Sequence, residues 1–394
     1  MARTVKRAFK YRFYPTAEQA EELVRTFGCV RLVYNRALEE RTRAFAEGRR
    51  ISYAESSAAL TQWKGTEGLA FLRDVSSVPL QQALRHLQAA FSHFFAGHAG
   101  HPTFKSRRRS RLSAEYTRSA FRYHDGALTL AKMGVPLAIV WSRPLPKGAQ
   151  PSTVTVSKDA AGRWFVSILC EDTIQGLCPT EHVVGVDVGI SALAALSTGE
   201  KIPNPRHEQA DRRRLARAQR ALARKQKGSA NREKARLRVA RLHGRIADRR
   251  RDHLHKISTR LVRENQVIAV EDLAVRNMVK NRGLARAISD ASWRMLRSML
   301  EYKAAWRGRE LIVVDRWFPS SRLCSGCGTI GPRMPLDARV WRCACGDSHD
   351  RDVNAARNIL AAGLAERRNA CGGTVRPDSR ERRGLGSVKQ EATS

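Results

Sequence analysis

The run VVGVDVG at residues 183–189 is apolar except for one carboxylate, Asp187. Such a run is typical of a buried β-strand, whose side chains alternate between two faces, so Asp187 shares a face with Val183, Gly185 and Gly189. Burial of an ionised carboxylate is unfavourable unless a cation or hydrogen-bond donors compensate its charge. The run therefore predicts a core strand whose single acid binds a ligand.

Two later segments supply acids that could join Asp187. Glu271 and Asp272 are adjacent in VIAVEDL and so point to opposite faces of a strand, and the pattern leaves open which one joins Asp187. Asp350 and Asp352 in HDRDVNAA lie at the start of a helix. Carboxylates from three separate segments form a site for Mg²⁺ or Mn²⁺. Two such ions can activate water and stabilise the leaving oxygen of a phosphodiester.

Each acid taken alone has a simpler explanation, as a helix cap, a turn residue or a surface charge. The sequence GVDVG also resembles the first phosphate loop of actin-like and sugar-kinase ATPases. Those proteins need a second phosphate loop and an adenosine-binding glycine motif, and the sequence has no convincing counterpart of either. The ATPase is therefore the less favoured alternative.

Cys324, Cys327, Cys343 and Cys345 form two close pairs, each followed by a glycine. Two such knuckles can hold zinc tetrahedrally, and four thiolates leave no position open for water, so the zinc is expected to be structural. The second pair is C-x-C rather than C-x-x-C, which makes His349 an alternative fourth ligand. The remaining cysteines are scattered, which indicates a reducing compartment.

The chain is strongly basic, with 72 Lys and Arg against 37 Asp and Glu and a formal net charge of +35. Such a charge favours a polyanionic partner, with nucleic acid as the first candidate and an acidic membrane surface as the second. The membrane is the weaker candidate, because no apolar run is long enough to span a bilayer. The N-terminal segment lacks the apolar core of a secretory signal, so we expect a cytoplasmic, nucleoid-associated protein.

Two segments carry the positive charge that we expect to contact a nucleic-acid backbone. Residues 104–123 form a basic loop with interleaved aromatic residues, and residues 206–264 form two very basic helices that break near Gly228. The simpler interpretations are a solvated loop and a coiled coil with a charged outer face. The predicted contact residues are Lys105, Arg107, Arg108, Arg109, Tyr116, Arg118, Arg213, Arg217 and Arg224.

The remaining patterns predict an α+β multidomain protein. Residues 1–12 form a basic strand, helices follow to about residue 97, and alternating strands occupy about residues 124–175. Beyond the basic helices come the strand QVIAVEDL, a polar helix and the strand ELIVVD. A short helix lies in DVNAARNILAAG, and the tail from Ala365 is expected to be loose.

Six motifs spread over nearly the whole chain share one resemblance: FKYRFYPT, PTFKSRRRS, GVDVGI, VEDLAVRNM, FPSSRLCSGCG and CGDSHDRDVNAARNIL. They resemble the TnpB (OrfB) proteins of bacterial insertion sequences, which are related to the type V CRISPR effectors. The resemblance implies a RuvC-like nuclease domain with an RNase H-like fold and an inserted zinc ribbon. It also implies an N-terminal wedge β-barrel interrupted by a helical recognition domain. The implied domains are the wedge at 1–12 and 116–180, the recognition domain at 13–115, the nuclease domain at 181–318 and 349–364, the zinc ribbon at 319–348 and a flexible tail at 365–394.

The same resemblance implies catalysis by Asp187, by Glu271 of VED and by Asp352 of DRD, with Mg²⁺ or Mn²⁺. The implied partners are a guide RNA transcribed from the element's own end and a double-stranded DNA target. The expected activity is therefore that of an RNA-guided DNA endonuclease, and the intact acids argue against a nuclease-inactive DNA-binding regulator of the same lineage. No tyrosine nucleophile within a His-rich motif is evident, so strand transfer would need a separate transposase encoded by the same element.

Overall fold

The computed structural model describes residues 2–108, 110–335 and 338–370, which form two compact units. The first unit contains the described residues up to Gly176 together with Glu208–Arg249. The second contains Leu177–His207 together with the described residues from Arg250 onward. Each unit combines a β-sheet with helices, so the predicted α+β class is confirmed.

The first unit is built on an antiparallel sheet. Its strands are β1 (Ala2–Tyr14), β2 (Leu112–Thr117), β3 (Phe121–His124), β4 (Ala127–Leu130), β5 (Ala138–Val140), β6 (Thr153–Lys158) and β7 (Trp164–Gln175). The sheet order is β2-β6-β7-β1-β5, and β3 pairs with β4 as a separate hairpin. The basic strand β1 belongs to this sheet because its apolar residues alternate, so that Phe9, Tyr11 and Phe13 enter the core.

The helices of this unit follow the predicted periodicity. They are α1 (Ala17–Ala46), α2 (Tyr53–Gly65), α3 (Ser77–Phe95), α4 (His207–Ala223) and α5 (Ala230–Glu264), of which α5 continues into the second unit. Helix α1 starts with a capping box between Thr16 and Gln19. The predicted break near Gly228 is confirmed, because this residue lies between α4 and α5 with a φ of +87° that favours glycine.

Two predicted domain limits differ from the ends of the strands. Strand β1 continues to Tyr14, beyond the predicted limit at residue 12, and β2 begins at Leu112, before the predicted limit at residue 116. The alternation of apolar residues runs through both limits, so the hydrophobic pattern contains no signal for a change of domain there.

The second unit contains a mixed sheet. Its strands are β8 (Val183–Val188), β9 (Ala192–Leu196), β10 (Lys201–Pro203), β11 (Val267–Glu271), β12 (Glu310–Val314), β13 (Val340–Arg342) and β14 (Ser348–Asp350). Its helices are α6 (Val275–Met278), α7 (Ala285–Ala291), α8 (Trp293–Arg307) and α9 (Arg351–Ala370). The order of the main sheet is β10-β9-β8-β11-β12, in which β8, β11 and β12 are parallel and β9 is antiparallel to both of its neighbours. The predicted strands in VVGVDVG, QVIAVEDL and ELIVVD are therefore confirmed.

Helices α8 and α9 cover opposite faces of this sheet. On one face, Val184 and Ile268 share a core with Leu296 and Leu300 of α8. On the other face, α9 approaches the strands closely at two glycines. A Cβ at Gly185 would collide with the carbonyl oxygen of Ala356 and lie 2.8 Å from the Leu360 Cβ. A Cβ at Gly363 would lie 3.0 Å from the Ala269 Cβ, which is a tight contact, whereas the clash with backbone at Gly185 requires glycine there.

Helix α9 is longer than the sequence predicts. It continues to Ala370, so the prediction of a loose tail from Ala365 is wrong for residues 365–370. Residues with high helix propensity continue through this segment, and Arg367 forms an ion pair with Glu310 of β12 at 3.0 Å. The rest of the predicted tail, residues 371–394, lies outside the described residues.

No helix in the described ranges is both long enough and apolar enough to cross a membrane.

We expect Gly185→Ala to lower the free energy of unfolding by about 1–3 kcal/mol, the usual range for overpacking a dense core. Urea unfolding followed by circular dichroism measures this change. Gly28→Ala is the control, because nothing lies within 4 Å of a Cβ at this helical position and alanine should be neutral or stabilising there. Equal stabilities of the two variants would contradict the close contact between α9 and β8.

Candidate active site

Asp187 and Glu271 lie side by side at the carboxyl edge of the second sheet. Strands β8 and β11 are parallel neighbours, and their register pairs Val186 with Val270. The next residue of each strand is an acid, so the two carboxyl groups emerge next to each other. The carboxyl edge of parallel strands is where open α/β sheets commonly bind ligands.

The two faces of the sheet decide between Glu271 and Asp272. Alternation places Asp187 on the face of Gly185 and places Glu271 on the face of Ala269, and both of these residues lie under α9. Asp272 points to the other face. The structure therefore brings Glu271 to the same side as Asp187, which the strand pattern alone left open.

Asp272 is held by two arginines that the sequence analysis did not identify. Arg297 of α8 and Arg316, shortly after β12, each donate to one of its carboxylate oxygens. The hydrogen bond from Arg297, followed by that from Arg316, holds the pKa of Asp272 below its usual value. Two neutralising partners make Asp272 a structural acid, and no sequence spacing signals these long-range pairs.

Asp350 and Asp352 have different surroundings at the start of α9. Asp350 accepts hydrogen bonds from the Val353 backbone N–H at 3.1 Å and from Lys201 Nζ at 2.6 Å. Among the described residues, the ion-pair contacts of Asp352 are longer, with Lys201 Nζ at 3.8 Å and Arg339 Nη1 at 3.7 Å. Asp350 therefore caps the helix, as one alternative explanation anticipated, and Asp352 is the acid that remains available for a ligand.

Burial and neighbouring acids disfavour the ionised forms of Asp187 and Glu271. Burial raises the pKa of Asp187 to about 8, with added repulsion from Glu271 and Asp352. Burial, followed by the neighbouring Asp272, raises the pKa of Glu271 to about 7. A divalent cation is a partner that can stabilise such buried carboxylates.

The oxygen ligands of these acids suit hard cations such as Mg²⁺ and Mn²⁺. Among the described residues, the metal-binding groups whose ligand atoms all lie within 4.8 Å of one another are those at the cysteines, so the three carboxylates are spaced more widely. The donor set therefore fits hard divalent cations in its chemistry.

The four predicted cysteines come together. Their Sγ atoms lie within 4.8 Å of one another, with 3.7 Å between Cys324 and Cys345 and 3.6 Å between Cys327 and Cys343. A tetrahedral zinc site with Zn–S bonds of about 2.3 Å requires S–S separations of about 3.8 Å. His349 Nε2 lies 3.0 Å from the Cys324 sulfur, so the histidine can form a hydrogen bond to a ligand instead of replacing one.

Two asparagines of α9 connect this helix to the cysteine region, and the sequence analysis did not single them out. Asn354 donates to the Leu323 carbonyl oxygen at 2.7 Å and accepts from the Ser325 N–H at 2.9 Å. Asn358 donates to the Leu323 oxygen at 2.6 Å and to the Ser320 oxygen at 2.8 Å. Buried amides four residues apart on a largely apolar helix face were the available signal for this contact.

Two of the predicted nucleic-acid contacts have structural roles. The prediction for Tyr116 is wrong, because this residue is 1% exposed in the core of the first unit and cannot stack on a base. Its position on the inner face of β2 explains the burial. Lys105 is largely desolvated, with Nζ 3.8 Å from the centre of the Tyr34 ring and its backbone bonded to Asn35. This burial lowers the pKa of Lys105.

The other basic residues of this prediction remain accessible where the structure describes them. The exposed ones are Arg107, Arg108, Arg118, Arg213, Arg217 and Arg224. Arg118 donates to Gln150 at 2.9 Å and still keeps its charge available. Arg109 lies outside the described residues. The structure brings the exposed arginines to the surface, and their contacts with nucleic acid remain a prediction.

Three family models match parts of the chain. The OrfB_IS605 model, described as "Probable transposase", matches residues 167–282, and the model of the Cas12f1-like TNB domain matches residues 293–359. Asp187 and Glu271 lie in the first span, and the four cysteines with Asp352 lie in the second. A helix-turn-helix model matches residues 1–50, where the structure has strand β1 and helix α1.

Two relatives align over nearly their whole length. A Streptomyces pristinaespiralis protein named "Putative RNA-guided DNA endonuclease" is 67% identical over 99% of this chain and 97% of its own. "Putative RNA-guided DNA endonuclease InsQ" from Escherichia coli (strain K12) is 35% identical over 93% of this chain and 94% of its own. A cryo-EM structure of a Cas12f1–sgRNA–target DNA complex matches with a TM-score of 0.57 at 13% identity, covering 91% of this chain and 99% of that chain, which shows a shared fold.

These comparisons define the class as proteins of insertion sequences with the fold of small type V effectors. Within that class, the chain belongs to the TnpB/OrfB family of insertion-sequence-encoded RNA-guided nucleases, as the sequence motifs predicted. None of the comparisons supports the ATPase alternative.

We expect Asp187→Asn to stabilise the metal-free protein at pH 8. The pKa of Asp187 is raised in the folded state, so the stability that it contributes is present at low pH and lost as the pH rises through about 8. Asparagine removes this ionisation, and a gain of about 1 kcal/mol would raise Tm by about 2–4 °C. Thermal unfolding in excess EDTA should reveal this gain at pH 8 and a smaller one at pH 5.

Asp350→Asn is the matched control, because it removes a carboxylate that Lys201 already compensates. This variant should have an unchanged or lower Tm at both pH values. If the Tm of Asp187→Asn lies below the wild-type value at pH 8, ionisation of Asp187 does not destabilise the folded protein and the argument is wrong.

Proposed function

We propose that this chain is a transposon-associated RNA-guided DNA endonuclease that cleaves phosphodiester bonds with divalent metal ions. The observation that carries the proposal is the convergence of Asp187, Glu271 and Asp352 at one edge of the sheet in a member of this family. The names of the two relatives support the activity. The complete set of acids disfavours a nuclease-inactive regulator.

The strand order supports an RNase H-like, RuvC-type nuclease domain at residues 181–318 and 349–364. Numbered along the second unit, the order is 3-2-1-4-5 with only the second strand antiparallel, as in RNase H-like nucleases. The division of the N-terminal part into a wedge β-barrel at 1–12 and 116–180 and a recognition domain at 13–115 belongs to the same proposal. It is supported by helices α1 to α3, which lie between β1 and β2 in the chain.

The residues of the site have distinct tasks in this proposal. Asp187 and Glu271 present neighbouring carboxylates from two strands, and Asp352 adds a third from the first turn of α9. Bound Mg²⁺ or Mn²⁺ would supply Lewis acidity and lower the pKa of a bound water. Asp272 fixes the end of β11 through Arg297 and Arg316, which keeps Glu271 on the correct face. Lys201 holds Asp350 and so orients the start of α9.

A structural zinc at Cys324, Cys327, Cys343 and Cys345 completes the proposal. The sulfur separations support a closed tetrahedral site, and the four thiolates leave no position for a reacting water. The hydrogen bonds of Asn354 and Asn358 would transmit the order of this region to α9. The zinc therefore supports the position of Asp352 without taking part in the reaction.

The proposed partners are a guide RNA derived from the end of the element and a double-stranded DNA target. The charge of +35 supports both, because a guide–target heteroduplex is held through backbone contacts. Exposed arginines such as Arg213, Arg217 and Arg224 are available for this task. A separate transposase of the same element would perform strand transfer, and the nucleoid of the cytoplasm is the proposed site of action.

The proposal predicts that Asp187→Asn, Glu271→Gln and Asp352→Asn each reduce cleavage by at least about a thousandfold, which corresponds to about 4 kcal/mol. The protein would be purified after expression from its native locus, the co-purifying RNA sequenced, and a plasmid with the matching target incubated with Mg²⁺. RNA should co-purify with each variant in normal amount, because these acids face the scissile phosphate.

Asp272→Asn and Asp350→Asn are the matched controls, since each removes one neighbouring acid of the same charge. Both should keep measurable cleavage. Normal cleavage by Glu271→Gln with an inactive Asp272→Asn would reverse the assignment of faces. Cleavage that persists in EDTA would exclude the metal mechanism.

Elemental analysis should find about one zinc per chain in the wild-type protein, because the four thiolates form one closed site. Cys345→Ser should lose the zinc and lower both Tm and cleavage, whereas His349→Ala should retain the zinc. If His349→Ala loses the metal and Cys345→Ser keeps it, the histidine is the fourth ligand. Active protein without zinc would refute the structural site.

A further inference from the structure

The first unit contains a basic cavity of about 530 Å³ that includes none of the contact residues named from the sequence, although three of its arginines lie in the basic segment 206–264. It lies between the hairpin of β6 and β7, the end of β1 and the central turns of α5. Five arginines and one aspartate give the lining an excess of four positive charges. The charged lining residues are Arg12, Arg163, Arg241, Arg245, Asp248 and Arg249.

Two glycines bring the walls of this cavity together. Gly162 at the tip of the hairpin has a φ of +78°, and a Cβ there would lie 3.5 Å from Leu237 of α5. A Cβ at Gly244 of α5 would lie 3.0 Å from Nη2 of Arg163. The lack of side chains at these two positions leaves room for the hairpin and the helix to pack side by side.

Two of the five arginines belong to the walls. Arg163 is bonded to Asp159 at 2.7 Å and also to Asp248 of α5. Arg249 is bonded to Asp211 of α4. These ion pairs fix the orientation of the two guanidinium groups and neutralise much of their charge.

The other three arginines have no carboxylate partner within the described residues. Arg241 and Arg245 are exposed and lie one turn apart on α5, so they face the same side. The guanidinium of Arg12 lies 5.3 Å from the centre of the Phe165 ring, and its buried Nε has no hydrogen-bond partner in the described part of the chain. Arg12, Arg241 and Arg245 therefore supply positive charge to the lining that no described carboxylate neutralises.

We propose that this cavity binds a phosphate group of a nucleic-acid backbone, supplied by RNA or by DNA. Guanidinium groups pair with phosphate oxygens through parallel N–H donors and stay charged at all physiological pH values. The volume lies within the range of about 300–1,000 Å³ that is typical of ligand pockets, so it admits a phosphate together with its sugar. The inference rests on the proposed function for the identity of the partner, and it adds a defined anchor point.

The test compares Arg241→Gln/Arg245→Gln with the control Arg282→Gln/Arg286→Gln in the full chain. Both pairs are exposed arginines four residues apart; only the first pair lines the cavity, and the second lies outside the basic segments 104–123 and 206–264. The probes are a labelled single-stranded RNA and a labelled DNA duplex, each of about 20 nucleotides per strand, titrated at several salt concentrations. We expect the cavity variant to lose about tenfold in affinity near 0.15 M salt.

The salt dependence should change as well. Loss of two phosphate contacts should reduce the slope of log K against log salt by about 1.4 for the RNA and about 1.8 for the duplex. Loss in one arm alone identifies the RNA or the DNA as the source of the phosphate, and loss in both arms means that the cavity accepts either. The control should change affinity by less than about twofold and keep its slope.

Three outcomes would overturn the inference. Equal losses of affinity in the cavity variant and the control would mean that the overall positive charge binds the nucleic acid and that the cavity is not a specific site. The proposed function would then still stand. A wild-type protein that binds neither probe would overturn both proposals. The single variant Arg245→Lys keeps the positive charge but removes the paired N–H donors of the guanidinium group. It should therefore keep the slope of log K against log salt and lose affinity. Unchanged affinity in this variant would exclude recognition of a phosphate by paired donors. This conservative variant also tests the site if the double variant has a lowered Tm.

Discussion

The close contact between α9 and the central strands determines where the functional groups of the second unit can lie. At Gly185 the backbone of the helix takes the space that a side chain would fill, so helix and strand have one possible separation. Protein interiors are dense, and a displacement of this helix would move every residue that it carries. The position of Asp352 relative to Asp187 and Glu271 thus depends on the close packing of the helix against the sheet at two glycines, Gly185 and Gly363.

The acidic edge of the sheet is an unfavourable arrangement that the surroundings maintain. Burial, together with the charges of Glu271 and Asp352, makes ionisation of Asp187 unfavourable in the absence of a cation. The hydrogen bonds of Asn354 and Asn358 hold helix α9 on one face of the sheet, and the two arginines on Asp272 hold the end of β11 on the other. Strain at a functional site with compensation around it is common in folded proteins.

Local pattern predicted the elements well, and long-range packing accounts for what it missed. Asp187 could be identified from the sequence because a carboxylate in an apolar strand is unfavourable unless it binds a partner. The spacing of the cysteines likewise predicted that their four sulfur atoms lie together. The prediction for Tyr116 is wrong because the basic sequence around a tyrosine looks the same whether the tyrosine lies in a core strand or on a binding surface. The partners of Asp272 and the cavity around Arg12 involve residues far apart in the chain. The periodicity of a single helix or strand cannot predict contacts between such distant segments.

Helix α9 fixes the number of residues that can separate Asp352 from Gly363. Asp352 and Gly363 are eleven residues apart, which at 3.6 residues per turn is about three full turns, so both lie on nearly the same side of the helix. One inserted residue between them would rotate the acid by about 100° away from the strands while the glycine stayed in contact. This stretch should accordingly admit substitutions at its exposed positions but no insertions or deletions, whereas the surface loops that join other elements can vary in length.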